Sequence, residues 1–297
     1  SCMSLHISNI GALFQHPSFS PPPPNAIAIT ASGLQPLATS LTDITIAHAT
    51  GNDPKLTAVD FSPFKQAKTI TIGNFCFRNV TDLRLAGLPA LERVEIGARS
   101  FQRCIHPSMD DVVFLTEEDE RIEGQFCLKE CPKVKTLVLG NGAFHEAEKC
   151  VIKDVPALEE IVMGDWDIKY PIGCFKEASL KLKNLPRLRS LQLGWNCFEN
   201  CMEFVLESLP ELVSVKLGKN VATFASDMGT ELKLKNLPKL TTLITNRWDS
   251  TTFRFPFQVR LLNMPSLTEV DLNYPFKYRD SLVVANAGAL SQFFQDE

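Results

Sequence analysis

One phrase, Leu-Pro-x-Leu-x-x-Leu-x-Leu-Gly, recurs seven times in this chain, at Pro89, Pro132, Pro156, Pro186, Pro210, Pro238 and Pro265. Eight residues after each proline stands Gly97, Gly140, Gly164, Gly194, Gly218, Asn246 or Asn273. That offset never changes, although the prolines lie 43, 24, 30, 24, 28 and 27 residues apart. A fixed internal register joined by spacers of variable length describes a solenoid whose turns accept insertions in their loops.

Positions counted from each proline define the core. At minus six, minus four and minus one stand, for example, Leu83, Leu85 and Leu88, or Leu180, Leu182 and Leu185. At plus two, plus five and plus seven stand Leu91, Val94 and Ile96, or Leu188, Leu191 and Leu193. Across the six slots of all seven phrases Thr245 is the only frankly polar occupant. The local period is two, so each unit offers two short strands with one face buried, separated by a proline that interrupts the ladder. The Gly or Asn at plus eight is expected to end the second strand in a left-handed turn, since both residues accept positive φ. Degenerate copies around Leu41, Ile44 and Ile46 and around Ile70, Ile72 and Phe77 extend the array to about nine units over 40–276.

The rest of the chain is read around this array. Residues 1–39, with the polyproline run Pro21 to Pro24, are expected to form an N-terminal arm. Residues 105–125 are a loop insertion, and 277–297 a C-terminal cap in which Ser281 to Phe294 is the one stretch with a helical stripe. Of the net charge of −4, the segment Asp110 to Glu123 supplies −6, from seven acids against Arg121, leaving about +2 elsewhere. This balance argues against a nucleic-acid binder. No apolar run reaches the length of a membrane span, and the start does not read as a signal peptide.

The nine cysteines are odd in number and follow the repeat, with Cys76, Cys174 and Cys197 each preceding a phenylalanine. They read as small core residues, which tilts the compartment toward the cell interior; a surface location stays open if a leader is missing. Cys127 and Cys131 have no matching Cys or His pair, so no metal is expected, nor any cofactor. The five histidines share no repeat position, and no nucleophile elbow or phosphate loop is present. His145 and Glu146 lie together in a loop expected to face solvent rather than to act as an acid–base pair. No residue is therefore assigned a catalytic role.

Residues Leu188, Leu191, Leu193, Asn196 and Phe198 occupy the fixed places of the phrase L-x-x-L-x-L-x-x-N-x-L. Over about 240 residues the chain resembles the leucine-rich repeat superfamily, and within it the irregular BspA-like repeats of bacteria and protists. Other units depart from the pattern, with Arg99 and Gly142 where Asn is expected, which argues against a regular asparagine ladder. The resemblance implies a mainly β, curved solenoid with a parallel concave sheet, short second strands on the convex side and few or no helices. It also implies binding of a protein partner or a glycan, as in cell-surface adhesins.

If the strand after each proline lines the concave face, its outward residues include Val138, Val162, Gln192, Lys216 and Ile244. Just beyond, at plus nine or plus ten, fall Trp166, Trp195 and Trp248, with Tyr274, Arg99, Lys219 and Arg247 in the same rim slots. Such residues commonly carry interface energy. Two readings stay open for the indoles: a partner-binding rim, or packing over the neighbouring loop. The expectation is a non-enzymatic binding module for a protein partner. A structural subunit of a larger assembly and a carbohydrate-binding surface are the alternatives.

Overall fold

A computed structural model of the chain describes residues 4–7, 27–30, 33–36, 40–102, 124–166, 172–225, 229–246, 251–272, 275–276 and 279–294. The chain is a parallel β-solenoid of about eight turns, each of about 26 residues. One face is a ten-stranded parallel sheet. Its strands are Ser4–Ile7, Asp43–Ile46, Thr69–Ile72, Arg93–Ile96, Thr136–Leu139, Glu160–Met163, Ser190–Leu193, Ser214–Leu217, Thr242–Thr245 and Glu269–Asp271, in that spatial order. The second face is a four-stranded sheet of Ala58–Asp60, Asp82–Ala86, Gln125–Lys129 and Lys149–Lys153, followed by a five-stranded sheet of Leu180–Lys183, Glu203–Glu207, Glu231–Lys235, Gln258–Leu262 and Ser281–Ala285. A single bridge from Lys149 to Ser179 links the two. Every pairing between turns is parallel and in register with the prolines, as in Leu137 opposite both Val94 and Ile161.

The repeated phrase builds one corner directly. In all seven copies the amide at plus two donates to the carbonyl at minus one, from Leu91 to Leu88 at 3.3 Å through Leu267 to Met264 at 3.3 Å. Leu-Pro-x-Leu is thus a β-turn with proline at its second position, where a fixed φ suits the turn. Both flanking apolar residues drop into the core, as Leu88 and Leu91 do with no exposure. The residue two before the proline is left-handed in every copy: Gly87, Glu130, Asp154, Asn184, Ser208, Asn236 and Asn263. It is this residue, rather than the proline alone, that swings the chain off the second face.

The opposite corner corrects the expectation placed on the plus-eight glycines. Gly97, Gly140, Gly194 and Gly218 do not have positive φ. They are glycines because the backbone of the preceding turn lies against them: a Cβ on Gly194 would stand 2.7 Å from the Asp165 amide nitrogen, and one on Gly140 would run into Ala98. Gly164 is the exception, with φ of 72°. The left-handed residues come two and four positions later, at Arg99 and Phe101, Gly142 and Phe144, Asn196 and Phe198, and Asn220 and Ala222. The asparagine slot of the phrase is therefore the left-handed slot, which explains why Asn and Gly share it and marks Phe75 and Arg99 as strained occupants.

Between the faces run two columns. Phe77, Phe101, Phe144, Phe175 and Phe198 stack ring on ring, with centroids 5.2, 4.6, 5.5 and 5.4 Å apart. Ala222 interrupts the column, and Phe253 and Phe276 resume it with centroids 6.1 Å apart. One residue before five of these rings, all but Phe144 and Phe276, sits a small donor that reaches back to the preceding turn. Ser100 Oγ donates to the Gly73 carbonyl at 2.8 Å, Cys76 Sγ to Ala47 at 3.0 Å, Cys174 Sγ to Gly140 at 3.2 Å and Thr252 Oγ1 to Gly218 at 3.0 Å. This Cys/Ser/Thr ladder satisfies the corner carbonyls that would otherwise be buried without partners.

Both ends carry strands not expected from the sequence. Within the segment read as an arm, Ser4–Ile7 adds a parallel strand to Asp43–Ile46, and Ile27–Thr30 pairs antiparallel with Gly33–Pro36. Ile29 and Leu34 of that hairpin pack on the core, so this segment covers the first turn. The polyproline run and the insertion at 105–123 lie outside the described residues. At the other end the helical stripe expected over Ser281 to Phe294 is instead the strand Ser281–Ala285 and a 3-10 helix, Gly288–Phe294. Leu282 and Val284 alternate with period two and pair opposite Val259 and Leu261, so the strand outcompetes the helix there.

The two kinds of corner residue respond oppositely to substitution. Gly140→Ala is expected to lower unfolding stability by about 1–3 kcal/mol through backbone overpacking. Arg99→Gly, which relieves a left-handed side-chain residue on the surface, should stay within about 1 kcal/mol of the parent. Urea unfolding followed by circular dichroism compares the two.

Candidate functional site

The outward residues of the ten-stranded sheet form a row set by strand register. Passing across the turns, the plus-six position reads Thr45, Thr71, Glu95, Val138, Val162, Gln192, Lys216, Ile244 and Asp271. Because each strand contributes one such residue, the row is a strip of side chains one ladder spacing apart. Its first two-thirds line an open groove of about 800 Å³, from Thr45 and Thr71 across Glu95, Val138 and Val162 to Gln192. The corner residues His48, Asn74, Asn141 and Asp165 border the same groove.

These border residues are held by the corner itself. His48 Nδ1 accepts the Asn74 amide at 2.9 Å, Asn74 Oδ1 accepts the Ala98 amide at 2.9 Å, and Asn141 Oδ1 accepts the Asp165 amide at 2.6 Å. Each side chain therefore tethers the turn that follows it. On the sheet, Arg93 pairs with Glu95 through both Nε and Nη2. Asp43 accepts from Thr69 Oγ1 at 2.6 Å and from Thr42 Oγ1 at 2.8 Å, and these hydroxyls hold its carboxyl below the usual range. The groove thus combines the Glu95 carboxylate with a two-valine apolar floor and the Gln192 amide.

Of the expected concave residues, Val138, Val162, Gln192 and Ile244 are half-buried on this face and Lys216 is exposed, all in one row. The first three line the groove. The rim residues fare differently. Arg99 is exposed and Lys219 half-buried at the corner, while Arg247, Trp248 and Tyr274 lie outside the described residues. Trp195 is 4% exposed, and its indole Nε1 donates to the Trp166 carbonyl at 3.2 Å. In this structure it packs at the corner. Trp166 is half-buried, and its own Nε1 donates to the Leu217 carbonyl at 3.0 Å, two turns along. The Trp166 carbonyl also accepts from Asn246 Nδ2 at 2.8 Å, a third turn along. The left-handed Gly164 turns the chain out of the corner, and Trp166 then lies lengthwise across the turns and ties them together.

The reactive side chains are likewise committed to structure. His145 Nδ1 lies 2.8 Å from the Gly173 carbonyl, so that nitrogen carries the hydrogen. Burial pushes its pKa down, the carbonyl partly offsetting this, and the ring is half-buried rather than solvent-facing as expected. Cys131 Sγ donates to the Lys129 carbonyl at 3.2 Å. Burial pushes the thiols of Cys76, Cys131 and Cys201 up; for Cys174 the contact with Cys197 comes first and burial second. Among the described residues no group of three or more His, Cys, Asp or Glu side chains is placed to hold a metal, and no helix is long and apolar enough to cross a membrane.

Comparison of the chain with protein-family models, curated proteins and solved structures found no match in any of the three. What the site can do is therefore read from its own geometry. The row offers the paired side chains of Val138 and Val162 with hydrogen-bonding groups on either side.

Trp195→Ala is expected to cost about 3–5 kcal/mol of unfolding free energy, while Gln192→Ala beside it changes stability by no more than about 0.5 kcal/mol. Chemical denaturation of both variants checks this. Cys76, Cys131, Cys174, Cys197 and Cys201 should resist iodoacetamide in the folded protein and alkylate after denaturation, as read by peptide mass mapping. Rapid modification of Cys174 in the native state would contradict its burial.

Proposed function

We propose that this chain is a non-enzymatic binding module that receives a protein partner on the outward face of its ten-stranded sheet. The observation that carries this reading is the groove from Thr45 to Gln192, with Val138 and Val162 side by side at its centre and charged or hydrogen-bonding groups on both flanks. An apolar centre inside a polar border is the usual anatomy of a protein-recognition surface. With Trp195 buried, the centre of binding moves from the aromatic rim onto the sheet.

The resemblance to leucine-rich repeats, and to the BspA-like kind, supports the same face. In that superfamily the sheet after each repeat phrase lines the concave side, and the groove on this sheet agrees with such a curvature. A second reading, glycan recognition, is favoured by the hydroxyls of Thr45 and Thr71 beside the Glu95 carboxylate and the Gln192 amide. A structural role in a larger assembly would use the same surface with a permanent partner.

The test is affinity capture from the native source with the parent chain and with Val138→Lys/Val162→Lys, followed by mass spectrometry and a glycan array. Both valines face outward and are only half-buried, so the double variant should fold with its melting temperature within a few degrees of the parent's. A protein held by the parent and weakened at least tenfold by the double variant is the expected result. Equal retention by both would move the site off this face. Hits on the array that the variant loses, without a protein partner, would replace the protein reading with the glycan one.

A further inference from the structure

The strand Ser281–Ala285 differs from every other strand of the second face. Each of the other eight carries at least one ionisable side chain, such as Arg84, Lys153, Lys181, Glu207, Lys233 or Arg260, whereas this one reads Ser-Leu-Val-Val-Ala. It is paired on one side with Gln258–Leu262, and among the described residues no strand pairs with its other side. Its inward residues Leu282 and Val284 are only half-buried, while Val259 and Leu261, their counterparts one turn earlier, have no exposure. Val283, facing outward at its centre, is 50% exposed. Long uncharged edges of this kind are normally blunted by lysine, proline or a bulge, and this one has none of them.

The core at this end is already closed by other means. The 3-10 helix Gly288–Phe294 buries Leu290 and sets Phe294 against the ring of Phe276, with centroids 5.6 Å apart. Among the described residues, what stays open is the sheet edge, a backbone ladder with two partly covered apolar side chains beneath it.

We infer that the occupant of this edge is the same edge of a second copy, joined antiparallel with Val283 on the two-fold axis. The sequence is suited to pairing with itself. Centring on Val283 sets Ser281 opposite Ala285 and Leu282 opposite Val284, so inward apolar residues meet inward apolar residues and no charges oppose one another. The same operation on Gln258–Leu262 would bring Arg260 onto Arg260, and on Glu231–Lys235 it would bring Lys233 onto Lys233. An antiparallel two-fold pairing also consumes both edges and closes, whereas a head-to-tail addition would propagate. A five-residue pairing lies below the roughly 1,200–2,000 Å² of a stable interface, so the dimer is concentration-dependent rather than permanent.

Sedimentation equilibrium of the full chain from about 1 µM to about 500 µM tests this, a range that brackets dissociation constants expected of small interfaces. The expected result is a monomer–dimer equilibrium that Val283→Lys weakens at least tenfold without changing the melting curve. Oxidation of Val283→Cys should yield a disulfide-linked dimer beyond the background of the parent chain, because residues on the axis face each other. Ser281→Cys should not, since four residues of offset hold its two copies roughly 13 Å apart. A single monomer mass over the whole range would overturn the proposal, as would a dimer that Val283→Lys leaves intact or that Ser281→Cys cross-links equally well. None of these outcomes depends on which partner the groove binds.

Discussion

At the corner that follows the ten-stranded sheet, the backbone of one turn touches the backbone of the next with no room for a Cβ. Gly73, Gly97, Gly140, Gly194 and Gly218 mark that contact, each lying against the residues that hold the same place one turn earlier. A turn of this solenoid cannot bury its apolar side chains alone, so stability comes from neighbours, and neighbours stack only if both corners keep one separation. The Leu-Pro-x-Leu β-turn fixes the first corner through a local hydrogen bond. The glycine contact fixes the second through steric exclusion.

Once the separation is set, the interior columns follow. Rings of Phe77 to Phe198 stack at 4.6–5.5 Å, close to the spacing of the ladders on either side. The donors beside them must be short, since they bridge a single ladder step to a corner carbonyl, and Cys, Ser and Thr fit where a longer amide would not. This is why cysteine follows the repeat. The thiols serve as small donors in a dry column, and the same burial that makes them useful there suppresses their reactivity.

The proposed binding face and the free edge follow from one architecture. Parallel register turns a one-residue slot into a strip across the molecule, so a change of residue type along the row becomes a change of chemistry along a groove. The termini have no neighbour on one side and need other devices: at the start, an added strand and a hairpin from the segment before the array, and at the end a 3-10 helix that seals the core but leaves one strand's backbone exposed.

Much of this was legible in the sequence. The phrase alone determined two strands per unit, their buried slots and the proline turn, because period-two burial and turn chemistry are local properties, whereas the parallel sheet was implied by the resemblance to leucine-rich repeats. It also placed Val138, Val162 and Gln192 on one face, since they share a slot. Only the tertiary structure decided why plus eight is glycine, because a contact with the turn before leaves the same mark as a local positive φ. Only it decided that Trp195 is buried while Val138 is accessible, since an indole at a rim position can turn outward or lie under the loop of another turn. The strands at the two ends were hidden for a similar reason: they pair with the first and last turns through contacts that lie outside the repeat.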